Sequence, residues 1–242
     1  VVLKRHGMYW KGKEEIMNKI LTTTENLFIW TQRVIQECAE YQVENLISHG
    51  KLCLDIGCNV GGFIIRNHNR FDNIIAYEAS QLNVQSCQMN LDMNGITNAV
   101  INRFAVGAED GQTLKLKKFN TSDNCGSFGT VDFMWDKGPY IGAGWEETED
   151  SEEVPTISLN TILKDFDNVD FMKIDIEGAE YQFLVNKDLS KIDIISMELH
   201  NFLIDLNQQK PLIEWISKTH NILTPIDDGD ISRHQILIAK RK

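Results

Sequence analysis

The chain has 242 residues, 42% of them hydrophobic, and a net charge of −11 at neutral pH. That is enough apolar material for one sizeable core, while no apolar run reaches the ~20 residues that a membrane-spanning helix requires. The acidic balance argues against nucleic acid as a partner, because non-specific binding of that kind runs on Lys and Arg neutralising phosphates.

Residues 1–14 carry Lys and Arg but no apolar core and no small-residue cleavage site, so no signal peptide is read and a soluble, cytoplasmic protein is expected. Residues 12–48 read as helical. Thr22-Thr23-Thr24-Glu25 offers a capping box, and Leu27, Trp30, Val34, Cys38 and Tyr41 recur at steps of three or four. Residues 1–50 are therefore expected to form an N-terminal helical extension, laid against the main domain as part of a lid. From residue 51 to 242 strands and helices alternate. Strands are predicted over 52–56, 73–77 and 99–104. Helices follow the first two, near 61–69 and along Leu82, Cys87, Leu91 and Met93, the second closing at Asn94-Gly95. Residues 113–118 alternate apolar and polar, as an edge hairpin would. Residues 119–153 are the least regular and read as an insertion. They include Trp135, Tyr140 and Trp145, which suit stacking on a sugar face, and the acidic run 146–153, read as a solvated loop. Further strands are predicted over 169–174 and 192–199, with helices over 178–187 and 207–218. Strands over 221–225 and 235–239 flank the turn Asp227-Asp228-Gly229-Asp230. This alternation predicts an α/β fold, Rossmann-like, with a mostly parallel seven-stranded sheet, helices on both faces and a C-terminal antiparallel hairpin. The five cysteines (Cys38, Cys53, Cys58, Cys87, Cys125) include no Cys-X-X-Cys pair and read as reduced thiols.

The strongest local signal is the strand-to-helix turn Asp55-Ile56-Gly57-Cys58-Asn59-Val60-Gly61-Gly62-Phe63. Its glycines permit a tight bend and a close approach of backbone to ligand. A dinucleotide site wants unshielded amides facing a pyrophosphate, and a carboxylate at Asp55 is awkward there. It suits a ligand bearing an ammonium and a sulfonium, and S-adenosylmethionine is such a ligand. Asp55, Gly57, Cys58, Asn59, Gly61 and Phe63 are the candidate cofactor residues in this segment. Glu78, at the end of the next strand with Ala79 beside it, is placed to accept hydrogen bonds from ribose hydroxyls. Phe104 and Ala105, at the end of the third strand, are placed beside an adenine ring.

These segments resemble the FkbM family of methyltransferases. The resemblance rests on the turn at 55–63, Ala76-Tyr77-Glu78, Asn90-Leu91 through Asn94-Gly95, Ala105-Val106-Gly107, Val154-Pro155-Thr156-Ile157-Ser158-Leu159-Asn160, and Phe171-Met172-Lys173-Ile174-Asp175-Ile176-Glu177-Gly178-Ala179-Glu180. It covers roughly residues 51–200. Asn160 stands where the family usually has Asp, residues 128–153 look inserted, and residues 1–50 are not covered. The resemblance implies a class I methyltransferase fold and S-adenosylmethionine as methyl donor, leaving as S-adenosylhomocysteine. It also implies a sugar, polyketide or other small metabolite as acceptor.

Transfer to a hydroxyl needs the nucleophile, methyl and sulfur in line, and a base for the hydroxyl proton. Lys173, Asp175 and Glu177 step by two after the fourth main strand and would share a face if extended. Glu198 and His200 repeat the step after the fifth. These five are the catalytic candidates. His200 is the natural base at neutral pH, and Asp175 sits where both cofactor and acceptor are expected. Asp175, Glu177, Glu198 and His200 also offer metal-ligand atoms, but carboxylates are common near methyl donors without a metal, and none is expected. O-methylation of a small molecule or glycan is the first reading. An RNA ribose 2′-O-methyltransferase and a non-catalytic binding module are the alternatives.

Overall fold

The computed structural model describes residues 38–120, 146–200, 206–225 and 235–242. Within them α1 (Val43–Leu46) leads into β1 (Gly50–Ile56), α2 (Gly62–Asn67), β2 (Phe71–Glu78), α3 (Gln81–Asn94) and β3 (Ala99–Arg103). Next come β4 (Ala105–Gly107), β5 (Thr113–Asn120), β6 (Glu146–Ser158), α4 (Leu159–Leu163), β7 (Phe171–Ile174) and α5 (Glu180–Leu184). The chain ends with β8 (Ile194–Leu199), α6 (Leu206–Ile216), β9 (His220–Ile222) and β10 (Gln235–Arg241).

Seven strands form one sheet in the order β3-β2-β1-β7-β8-β10-β9. The first five in that order are parallel neighbours, and β10 runs antiparallel to both β8 and β9. The fold is the Rossmann-like one predicted. The terminal hairpin is not an appendage, because β10 is inserted between β8 and β9. Strand order reverses between β1 and β7, which opens a crevice beyond their carboxyl ends.

Side-chain alternation builds two cores. Leu54 and Ile56 of β1 join Met172, Ile174, Met197 and Leu199 in one buried cluster. Cys53 joins Phe63, Ile64, Ile74, Cys87 and Phe171 in the other, under α2 and α3. Burying each large apolar side chain stabilises the fold by about 1.5–3 kcal/mol.

The structure corrects several sequence expectations. The N-terminal helix does not run unbroken to residue 48: Gln42 takes a left-handed φ of 54° between helical residues 38–40 and α1. Tyr41 and Val43 are buried in the second core, so this segment is built into the domain. Residues 1–37, Cys125, the aromatics Trp135, Tyr140 and Trp145, and the turn at 227–230 lie outside the described residues. Cys38, Cys53, Cys58 and Cys87 are all buried. In α3 the buried stripe is Asn83, Ser86, Cys87, Asn90 and Leu91, while Leu82 and Met93 are exposed. Asn90 earns its place by donating from Nδ2 to the carbonyl of Val60 at 2.7 Å. The acidic run is not a loop but belongs to β6, which pairs antiparallel with β5 in a second sheet, β4-β6-β5. Lys115 lies opposite Glu153 in that ladder, so charge complementarity stands in for apolar alternation. The helix predicted over 178–187 is only α5, residues Glu180–Leu184. No helix of the described residues is long and apolar enough to cross a membrane.

Gly57 joins β1 to the turn with φ +78°, and a Cβ there would lie 1.8 Å from the Asp175 carbonyl oxygen. Gly57→Ala is therefore expected to cost on the order of 3 kcal/mol, from left-handed strain plus overpacking against backbone. Urea unfolding measures it, and an unchanged midpoint would show that the two strand ends are not this close.

Candidate active site

The crevice at the switch point holds about 850 Å³ of empty space, the solvent in its open mouth included. Of the residues predicted to bind cofactor, Gly57, Asn59, Glu78, Ala79, Phe104, Ala105 and Asp175 line it. The turn amides are directed inward. Gly57 and Cys58 N–H both donate to the Tyr77 carbonyl, at 2.9 and 3.0 Å, and Asn59 N–H donates to Glu78 Oε2 at 2.9 Å. Glu78 Oε1 accepts from Ser80 N–H at 2.9 Å. The bend thus presents no nest of free amides of the kind that cradles a phosphate. Burial raises the Glu78 carboxyl above its ordinary value, against the lowering effect of these donors.

Four predicted cofactor residues do not line the crevice. Cys58 is buried with its sulfur 4.0 Å from that of Cys87. Gly61, at φ +88°, sits against Cys87, and Phe63 packs between Tyr41 and Phe171. Asp55 is fully buried because strand alternation turns it to the face opposite Leu54 and Ile56. It faces Lys173, its register partner on β7, with Nζ 3.4 Å from Oδ1. Sequence reading missed Leu114, Leu116 and Val154, which form an apolar side of the crevice. The alternation of Leu114 and Leu116 within β5 was the available signal.

Lys173 is not an open catalytic group either. Its Nζ donates to the Gly57 carbonyl at 2.6 Å and lies 3.5 Å from Asp175 Oδ2. Burial opposes its charge, yet Asp55 and Asp175 hold its pKa well above the usual lysine value. It is a fixed cation tying the ends of β1 and β7 together.

Beyond β7 the chain is not extended. Glu177 and Gly178 take φ of 52° and 98°, so Glu177 does not share a strand face with Lys173 and Asp175. This left-handed glutamate is a strained position. The bend points it back toward His200, which is 1% exposed at the end of β8. His200 Nδ1 donates to Glu180 Oε1 at 2.8 Å, and Nε2 lies 3.3 Å from Glu177, 3.8 Å from Asp175 and 3.9 Å from Glu198. Burial alone would depress its pKa, but Glu177, Glu180 and Glu198 raise it well above the ordinary value. The carboxylates around His200 thus favour its charged form over the neutral ring. The Glu177 carboxyl is pushed up to about 7 by burial, against the opposing charge of His200 and with help from Asp175, Glu198 and Glu180. Asp175, Glu198 and His200 also bring ligand atoms within 4.8 Å of one another, so these three could hold a cation, which would displace the imidazole proton.

The ionisation states set a stability trend. With its folded pKa raised, His200 stabilises fully below about pH 6.5 and loses that contribution as pH climbs through the folded value. Glu177 acts in the same direction: the fold resists its ionisation, so stability falls between its ordinary 4.5 and about 7. Urea midpoints are expected to be higher near pH 6 than near pH 8.5, with nitrogen NMR of the ring retaining an imidazolium signature at about pH 7. A midpoint that climbs with pH would contradict this assignment.

The profile of the Methyltransferase FkbM domain matches residues 55–238. No curated protein matches the sequence. Among solved structures, TrmK of M. capricolum, in complex with its cofactor product S-adenosyl-homocysteine, is 12% identical with a TM-score of 0.42, over 83% of this chain and 66% of that one. The ribosomal protein L11 methylase of Lactobacillus delbrueckii subsp. bulgaricus is 12% identical with a TM-score of 0.47, over 88% and 79%. The precorrin-6y C5,15-methyltransferase of Geobacter metallireducens GS-15 is 10% identical with a TM-score of 0.41, over 92% and 93%. The family profile runs from β1 to β10, through both the crevice and the carboxylate cluster around His200, and the chain belongs to the FkbM family of methyltransferases.

Proposed function

We propose that the crevice binds S-adenosylmethionine and that the chain passes its methyl group to a hydroxyl of a sugar, glycan or other small metabolite. The observation that carries this reading is the crevice itself, at the switch point. Glu78, the apolar side chains of Phe104, Leu114, Leu116 and Val154, and the carboxylates of Asp175 and Glu177 all line it. The apolar side chains suit an adenine ring, and Glu78 retains lone pairs for ribose hydroxyls. The carboxylates suit a cationic donor and disfavour a polyanion, which places RNA behind a small acceptor.

The bound donor supplies an electrophilic methyl whose sulfur leaves as a neutral thioether. The protein's part is to align the groups and take a proton. Glu177, with its carboxyl near neutrality, is the proposed base. His200 sits 3.3 Å behind it as a fixed positive charge that favours the carboxylate form, and Glu180 orients the ring. Asp175 faces the same space and is assigned to orient the acceptor.

Titration calorimetry is expected to show S-adenosylhomocysteine binding at about micromolar Kd, about −8 kcal/mol. A labelled-donor screen against glycans, nucleotide sugars and capped RNA is expected to find its acceptor among the first two. Absence of binding at millimolar ligand would overturn the cofactor reading, and exclusive labelling of RNA would overturn the acceptor reading. With an acceptor in hand, turnover should rise between about pH 6 and 8. Glu177→Gln should lower it by about 10²–10⁴-fold and flatten that rise. An undiminished slope in the variant would remove Glu177 as the base.

A further inference from the structure

Tyr41 precedes residue 55, where the family profile begins, yet it reaches the carboxylates of the site. It is 4% exposed. Its carbonyl accepts from Ser196 Oγ of β8 at 3.1 Å, and its ring meets the Phe63 ring edge-on at 5.9 Å. Lys173 Nζ lies 5.3 Å from the ring centroid, a cation–π contact. Ser196 and Asp55 are the register partners of Lys173 on either side of β7, so Tyr41 lies over a polar row crossing the buried face of the sheet. Its hydroxyl donates to Asp175 Oδ2 at 3.0 Å, with Glu198 Oε2 at 3.4 Å as a second acceptor. Both acceptors are carboxylates, so the phenol serves here as the donor.

A ring that merely filled the core would need no hydroxyl. We propose that Tyr41 is a positioning residue: its O–H and the Lys173 ammonium anchor Asp175 Oδ2 from behind, so that the carboxylate faces the donor's sulfonium. This rests on the reading that the crevice binds S-adenosylmethionine. The catalytic domain is then incomplete without residues preceding the family-matched stretch. Because the carboxylate is aimed at a charge, the effect of losing the anchor is selective. It reaches the cationic donor and largely spares the neutral thioether product.

The test uses the full chain and compares S-adenosylmethionine with S-adenosylhomocysteine by calorimetry, alongside Tm. Tyr41→Phe keeps the ring contact with Phe63. It is expected to weaken donor binding about 10-fold and product binding by less than about 2-fold, the scale of one hydrogen bond to a charged group. Asp175→Asn should produce the same selective loss without touching Tyr41, and Tyr41→Phe added to it should change the ratio no further. Ser196→Ala is expected to lower Tm and leave the ratio of the two affinities unchanged. Equal weakening of both ligands by Tyr41→Phe, or no weakening, would overturn the positioning role. Wild-type protein that binds neither ligand would remove the cofactor reading, and this role with it.

Discussion

Lys173 is the interaction on which the site depends. One ammonium, almost shut off from water, faces Asp55 across the sheet, holds the Gly57 carbonyl and reaches Asp175 at the rim. A buried charge is costly alone, and a carboxylate stripped of its partner in the same place is equally so. The pair therefore locks together: removal of Lys173 leaves Asp55 uncompensated beneath the turn, and removal of Asp55 leaves the lysine only Asp175. The strand ends of β1 and β7, which define the crevice, are held at their spacing by this cation as well as by the ladder between them.

Around that fixed point the site separates into a neutral half and a charged half. The neutral half is the slot made by Phe104 and the inner residues of β5 and β6. In the charged half, a single imidazolium is shared by Asp175, Glu177, Glu180 and Glu198. A histidine held toward its charged form and a glutamate whose pKa is pushed up to about 7 are two products of one field. Burial pushes both toward their neutral forms, and the crowd of carboxylates rescues the histidine while further penalising the glutamate.

The fold was largely legible from sequence, because parallel strands buried on both faces leave short apolar runs whose spacing survives without tertiary knowledge. The residues of the turn, the strand-end Glu78 and the edge at Phe104 and Ala105 were legible for the same reason: they follow strands that can be counted. The burial of Asp55 against Lys173 was not legible, because a motif does not say which face of the sheet a side chain takes. Alternation with Leu54 and Ile56 held that answer. His200 was read as a base from its ordinary pKa, whereas its charge state comes from groups on three separate elements or bends. Glu180 passed for a helix residue until its carboxylate was seen on the ring. Tyr41 sat within a regular apolar stripe, and nothing local distinguished its hydroxyl from its neighbours' methyls. The acidic strand β6 was invisible because its stabilisation comes from a partner about forty residues away in the chain.

The ribbon of β5 and β6 carries one more implication. Leu114, Leu116 and Val154 turn inward because the pairing aligns Leu114 with Val154 and Leu116 with Glu152. A slip of one residue in either strand would rotate its inward set to solvent and swing Lys115 or Glu153 over the apolar side of the crevice. The irregularity between Lys117 and Phe119, where β6 spends two more residues than β5, lies past these residues, toward the far end of the ribbon. Insertions and deletions are thus tolerable on one side of that bulge and ruinous on the other.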